Sequence, residues 1–104
     1  MIYEFNGYKP VIDPSSFIHK EATIIGNVII GKDVYVGPGA SLRGDWGQII
    51  VKNGCNIQDN CIVHIFPGKD VKLEEGFYFG QDHIFQEITI NKKNNIKNNI
   101  KKAN

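Results

Sequence analysis

Aliphatic residues recur at every sixth position along the front of this chain, at Ile12, Ile18, Ile24, Ile30, Val36 and Leu42. The register slips by three residues through Asp45-Trp46-Gly47-Gln48 and resumes at Val51, Ile57 and Val63. A second series runs four places behind the first: Ser16, Ala22, Val28, Val34 and Ala40, then Trp46 at the slip, then Cys55 and Cys61. Apart from the tryptophan, these are small or β-branched. A period of six fits neither a 3.6-residue helix nor an alternating strand between hairpins. It fits a triangular solenoid in which each six-residue unit supplies one short strand and one corner. Three units close a coil, and coils stack at the strand spacing of about 4.8 Å. The predicted class is all-β, a left-handed parallel β-helix that is incomplete at its C-terminus. Gly26, Gly31, Gly37, Gly39 and Gly54 fall where tight corners are expected.

This pattern predicts that residues 11–65 form at least three coils with all nine aliphatic positions buried. Cys55 and Cys61 then occupy the small inward slot on successive walls, as unbonded apolar groups. A chain of 104 residues holds one domain. The solenoid is expected over residues 1–90, with inward positions continuing at Ile84, Ile90 and Ile96. Residues 91–104, rich in Asn and Lys, have too little apolar content to order themselves and read as a degenerate or frame-shifted end.

Composition narrows the function. Of the 12 basic residues, 7 precede residue 91 and share that span with all 11 acidic ones. A mildly acidic body gives no electrostatic basis for nucleic-acid binding. No stretch has the length of a membrane span, and MIYEFNGYKP has no signal-peptide core, so a cytoplasmic protein is expected.

The register places Arg43 and His64 in adjacent coils at one corner, with Asp45 two residues beyond Arg43. Gln58 and Asp59 open the neighbouring unit. A cation, two carboxylates, an amide and an imidazole are therefore expected along one edge of the prism. His19 also follows an aliphatic position, but it lies on another wall and reads as a surface histidine. Trp46 reads as packing in its loop or at a subunit contact.

The run VGPGASLRGDWGQIIVKNGCNIQDNCIVH resembles the γ-class carbonic anhydrase-like hexapeptide-repeat family, in the branch of the phenylacetate-degradation and carnitine-operon proteins. SLRGD, NIQDN and the histidine after Cys-Ile-Val carry the likeness, supported by YEFNGYKPVI and FIHKEATIIGNVIIG. It extends over about residues 1–76. The resemblance implies a homotrimer with zinc held between subunits by three histidines, and a small-molecule substrate, either carbon dioxide or a coenzyme A thioester. It implies that His64 is the first zinc ligand and that Arg43, Asp45 and Asp59 form ion pairs near the subunit boundary. Asn56 and Gln58 would line the active site, with Gln58 orienting water or substrate.

The likeness breaks after Leu73-Glu74-Glu75. Where the family reads H-I-G-H-G followed by a third histidine, this chain reads Phe77-Tyr78-Phe79-Gly80-Gln81-Asp82-His83-Ile84-Phe85-Gln86. The two remaining ligand positions then carry Gln81 and Gln86, and a neutral amide is a poor replacement for imidazole at zinc. The resemblance thus implies a zinc-related protein with impaired hydration chemistry. The alternatives are a non-catalytic scaffold or subunit of a hexapeptide trimer and, more distantly, a hexapeptide acyltransferase.

Overall fold

The computed structural model describes residues 1–65, 67–80, 84–86 and 89–90. Its strands are β1 (Ile2–Tyr3), β2 (Val11–Ile12), β3 (Phe17–Ile18), β4 (Thr23–Ile30), β5 (Tyr35–Val36) and β6 (Ser41–Val51). They continue as β7 (Asn56–Ile57), β8 (Ile62–His64), β9 (Val71–Leu73), β10 (Tyr78–Phe79), β11 (Ile84–Gln86) and β12 (Thr89–Ile90). Every pairing between these strands is parallel. The chain is an all-β, left-handed parallel β-helix.

Three walls follow from the register. The first aligns Ile24, Leu42, Val63 and Phe85, and the second aligns Ile12, Ile30, Val51, Leu73 and Ile90. The third aligns Ile18, Val36, Ile57 and Phe79. β4 and β6 each span two walls, running through the shared corner without a break. There the register of β4 against β6 shifts between Gly26 and Val28, the mark of a bulge that absorbs extra residues.

The interior is as the six-residue period predicts. Ile24, Ile30, Val36, Leu42, Val51, Ile57 and Val63 are buried, as are Ala22, Val28, Val34, Ala40, Cys55 and Cys61 in the second series. Burying so regular an aliphatic stack removes about 1.5–3 kcal/mol worth of apolar surface per side chain from water. Ile12 and Ile18 depart from the expectation: they are only partly buried. They belong to the first coil, where β2 and β3 each pair on one side alone, so half of their packing partners are missing. Both cysteines are free and buried. The Cys55 thiol points at the carbonyls of Leu73 and Glu74, and burial pushes it above the usual thiol range.

At the slip, Ile49 fills the inward place opposite Val28, and Trp46 is turned out. A second insertion at the same corner one coil later is not visible in the six-residue count. Partners are 21 residues apart between Leu42 and Val63 but 22 apart between Val51 and Leu73. The extra residues precede β9. In consequence Phe85 stands opposite Val63, while Ile84 stands opposite the half-exposed Ile62. Phe85 therefore takes the register position opposite Val63 that the sequence count assigned to Ile84. Ile90 keeps its place opposite Leu73. Ile96 and the whole of 91–104 lie outside the described residues.

Gly31 and Gly37 turn out to serve close approach rather than a left-handed turn. A Cβ on either would sit 2.4 Å from Asn53 Oδ1 or 2.6 Å from Asp59 Oδ1, respectively.

Candidate functional site

The corner between the first two walls carries the polar residues. In β6 the side chains alternate inward and outward, so Leu42 is buried and Arg43 stands out beside it. In backbone register on the first wall, Ile25, Arg43, His64 and Gln86 follow one another from coil to coil. Arg43 and His64 therefore share an edge in adjacent coils, as their spacing predicts. The Arg43 guanidinium donates to Asp45 Oδ2 from Nη2 at 3.1 Å and from Nε at 3.3 Å. Asp45 is the more enclosed partner, with 14% of its side chain exposed against 47% for Arg43.

The inserted loop that follows is tightly held. A Cβ on Gly44 would lie 2.5 Å from the Asn27 carbonyl oxygen, and one on Gly47 would lie 1.9 Å from that of Lys69. The Gly68 amide donates to the Trp46 carbonyl at 3.3 Å, and the Gln48 amide donates to Asp70 Oδ1 at 3.0 Å. Gln48 Nε2 reaches back to Asn27 Oδ1 at 3.2 Å. The Trp46 backbone is thus clamped from both sides, yet its indole is 59% exposed.

Two hollows flank that indole. One, of about 220 Å³, is lined by Arg43, Asp45, Trp46, His64 and Ile65. The other, of about 230 Å³, is lined by Asn6, Tyr8, Asn27, Gly44, Asp45, Trp46 and Gly47. Asp45 and Trp46 border both.

Of the residues singled out from sequence, Arg43, Asp45 and His64 meet in the first hollow. Asn56, Gln58 and Asp59 do not join them within one chain. Asn56 belongs to the third wall, where Gln58 Nε2 donates to Asn56 Oδ1. Asp59 sits over Gly37, one coil along. Outward side chains on different walls of a triangle diverge, so the single edge expected from unit counting is two sites. His19 lies on the third wall as expected, its Nδ1 accepting the Glu21 amide at 3.0 Å and its ring meeting the edge of Phe17. Trp46, Tyr8 and Asn27 were not singled out as site residues. The slip that ejects Trp46 from the inward series was the available signal.

At this edge the described residues supply one imidazole, that of His64. Among the described residues no group of three His, Cys, Asp or Glu is placed to hold a metal ion. The residue opposite His64 in the next coil is Gln86, whose backbone alone is described. Gln81 and His83 lie outside the described residues.

Comparison with known proteins agrees with the repeat. A sequence family described as bacterial transferase hexapeptide (six repeats) matches residues 9–44. The chain is 45% identical over 89 residues to the carnitine operon protein CaiE of Proteus sp. (strain LE138), covering 86% of this chain and 45% of that protein. It is 46% identical over 88 residues to the carnitine operon protein CaiE of Escherichia coli O157:H7, covering 85% and 45%. The chain thus spans about half the length of the curated relatives it matches. Among solved structures, a hexapeptide transferase family protein from Anaplasma phagocytophilum superposes with a TM-score of 0.82 at 36% identity, covering 86% of this chain and 52% of that one. A putative acetyltransferase from Bacillus cereus superposes with a TM-score of 0.66 at 24% identity, over 88% of this chain and 74% of that one, and shares the fold.

Proposed function

Because the chain belongs to the hexapeptide-repeat family, in the branch of the carnitine operon protein CaiE, we propose that it is a γ-carbonic-anhydrase-like subunit working in cytoplasmic coenzyme A thioester metabolism, with its zinc-dependent hydration chemistry impaired. The observation that carries this reading is the register of Gln86 on His64. The sequence keeps His64 and carries Gln81 and Gln86 where the family resemblance calls for the other two histidines, a set with too few imidazoles to hold zinc and generate hydroxide. What the edge retains is binding chemistry. The Arg43 guanidinium, oriented by Asp45 through two hydrogen bonds, offers its remaining N–H groups to a carboxylate or thioester carbonyl. His64 borders the same hollow.

A homotrimer completes this proposal. Asn56, Gln58 and Asp59 of one chain face away from its own Arg43–His64 hollow. They reach such a hollow only when a neighbouring prism supplies it. The same observation on Gln86 favours a second reading, in which the trimer is a scaffold without catalysis. Carbon dioxide hydration by stopped flow, with zinc added, tests the first part of the proposal. The expected rate equals that of buffer with zinc alone. A protein-dependent rate that a chelator abolishes would overturn it. Turnover or binding of a coenzyme A thioester separates the remaining reading from the scaffold, which binds none.

A further inference from the structure

The chain holds two Asn-Gly pairs, Asn6-Gly7 and Asn53-Gly54. All four residues are exposed, and both glycines have positive φ, +85° at Gly7 and +74° at Gly54. Their hydrogen bonding is opposite. We propose that Asn6 is a site of spontaneous deamidation while Asn53 is protected by the fold, and that the product adds a second carboxylate to the hollow beside Trp46.

An asparagine before glycine is reactive because no Cβ obstructs the attacking amide. The Gly7 nitrogen gives its proton to base and forms a bond to Asn6 Cγ. The Cγ–Nδ2 bond breaks and ammonia leaves. Water then opens the cyclic imide, at the former side-chain carbonyl to leave isoaspartate's isomer, aspartate, or at the main-chain carbonyl to leave isoaspartate. One water is consumed and one ammonia released, and nothing is oxidised or reduced.

At Asn53 both reacting groups are held by one residue of the preceding coil. Its Oδ1 accepts the Lys32 amide at 2.8 Å, and the Gly54 amide donates to the Lys32 carbonyl at 2.8 Å. The Asn53 carbonyl also accepts the Gly76 amide of the following coil at 3.0 Å. Cyclisation there must break bonds to the coils on both sides.

Asn6 is free of such bonds. Neither its side chain nor the Gly7 amide has a partner among the described residues. Asn6, at φ +53°, and Gly7 form the two-residue turn across which Phe5 and Tyr8 exchange backbone hydrogen bonds. Positive φ at both central positions is the arrangement that Asn-Gly favours. The Phe5–Tyr8 bridge stands outside the stacked strands, so the turn can open without separating coils. Space around Gly7 is open, since a Cβ there would meet nothing within 4 Å.

The product changes a defined place. Asn6 lines the hollow of about 230 Å³ in which Asp45 is the one charged lining residue. A carboxylate in place of the Asn6 amide makes that hollow doubly anionic, which repels anions and attracts cations.

The full chain is incubated in mildly alkaline buffer, native and in denaturant, and the peptides carrying Asn6 and Asn53 are followed by mass spectrometry. In the native chain the Asn6 peptide should gain about 1 Da, at a rate at least about tenfold that of the Asn53 peptide. In denaturant the two rates should agree to within about threefold, because the fold no longer protects Asn53. Equal native rates, or a faster Asn53, would overturn the proposal. A difference that persists in denaturant would do the same, since local sequence would then be its cause. Trp46 is the only tryptophan, so its quenching reports the new charge. Asn6→Asp should raise quenching by caesium relative to iodide about twofold over the parent. An unchanged ratio would overturn the placement of the new carboxylate beside Trp46.

Discussion

Gly26 and Gly54 have almost the same backbone conformation, with φ of +76° and +74°, but very different surroundings. A Cβ on Gly54 meets nothing nearer than the Gly76 backbone at 3.8 Å. A Cβ on Gly26 would lie 2.6 Å from the Gly44 carbonyl oxygen and 3.1 Å from its carbon, backbone atoms that cannot turn aside. Gly54→Ala therefore carries only the left-handed strain, about 1–2 kcal/mol, partly offset by the stiffer unfolded chain. Gly26→Ala carries the same strain plus an overpacking cost of about 1–3 kcal/mol, because two coils must separate at the bulge. Urea unfolding followed by far-ultraviolet circular dichroism gives both losses against the parent. The expected loss for Gly26→Ala is at least about twice that for Gly54→Ala. The Gly26 variant should also shift Trp46 emission, since Gly44 leads into the Trp46 loop. Equal losses would refute the close stacking of β4 on β6 at this corner, and with it the placement of Asp45 and Trp46.

Leu42 is fully buried between Ile24 and Val63, so Leu42→Ala should cost about 2–5 kcal/mol in urea unfolding. The outward-facing Ile29→Ala should stay within about 0.5 kcal/mol. Cys55 and Cys61 are buried and free, so an Ellman titration should find both thiols protected in the native chain and both reactive in denaturant. Burial raises the Cys55 thiol above its ordinary value of 9.0. Its contribution to stability is then fully present below that value and is lost as pH rises from there towards the folded value, because the unfolded thiol ionises first. The urea midpoint should fall above pH 9, and Cys55→Ala should flatten that decline.

The walls of the prism were legible in sequence because a six-residue period constrains every unit in the same way. Leu42 and Val63 sit where spacing puts them, and the slip at 45–48 correctly carried the register from one to the other. Ile12 and Ile18 were misjudged because period reports direction, whereas burial also needs a coil on either side. The second insertion was not visible because Val71 and Leu73 restart the pattern after a gap, and the count ran past them to Ile84. At the site, the Arg43–His64 pair followed from unit number alone. Gln58 and Asp59 were drawn to the same edge by counting along the chain, which does not reveal that outward side chains on two walls diverge; Asn56 entered only through the family resemblance. The hollow lined by both Tyr8 and Trp46 is bounded by the N-terminal turn, where Phe5 and Tyr8 exchange backbone hydrogen bonds, and by a loop far along the chain. No local pattern encodes that juxtaposition.

On the proposed function, Gln81 and Gln86 stand where the His64 site would need imidazoles to hold zinc. Equilibrium zinc titration, with elemental analysis of the dialysed protein, tests it most directly when run on the parent chain and on the double variant Gln81→His/Gln86→His. The parent should show no stoichiometric uptake, and the double variant should approach one zinc ion per chain, weakening as pH falls and the imidazoles protonate. One tightly held zinc ion per parent chain would contradict it.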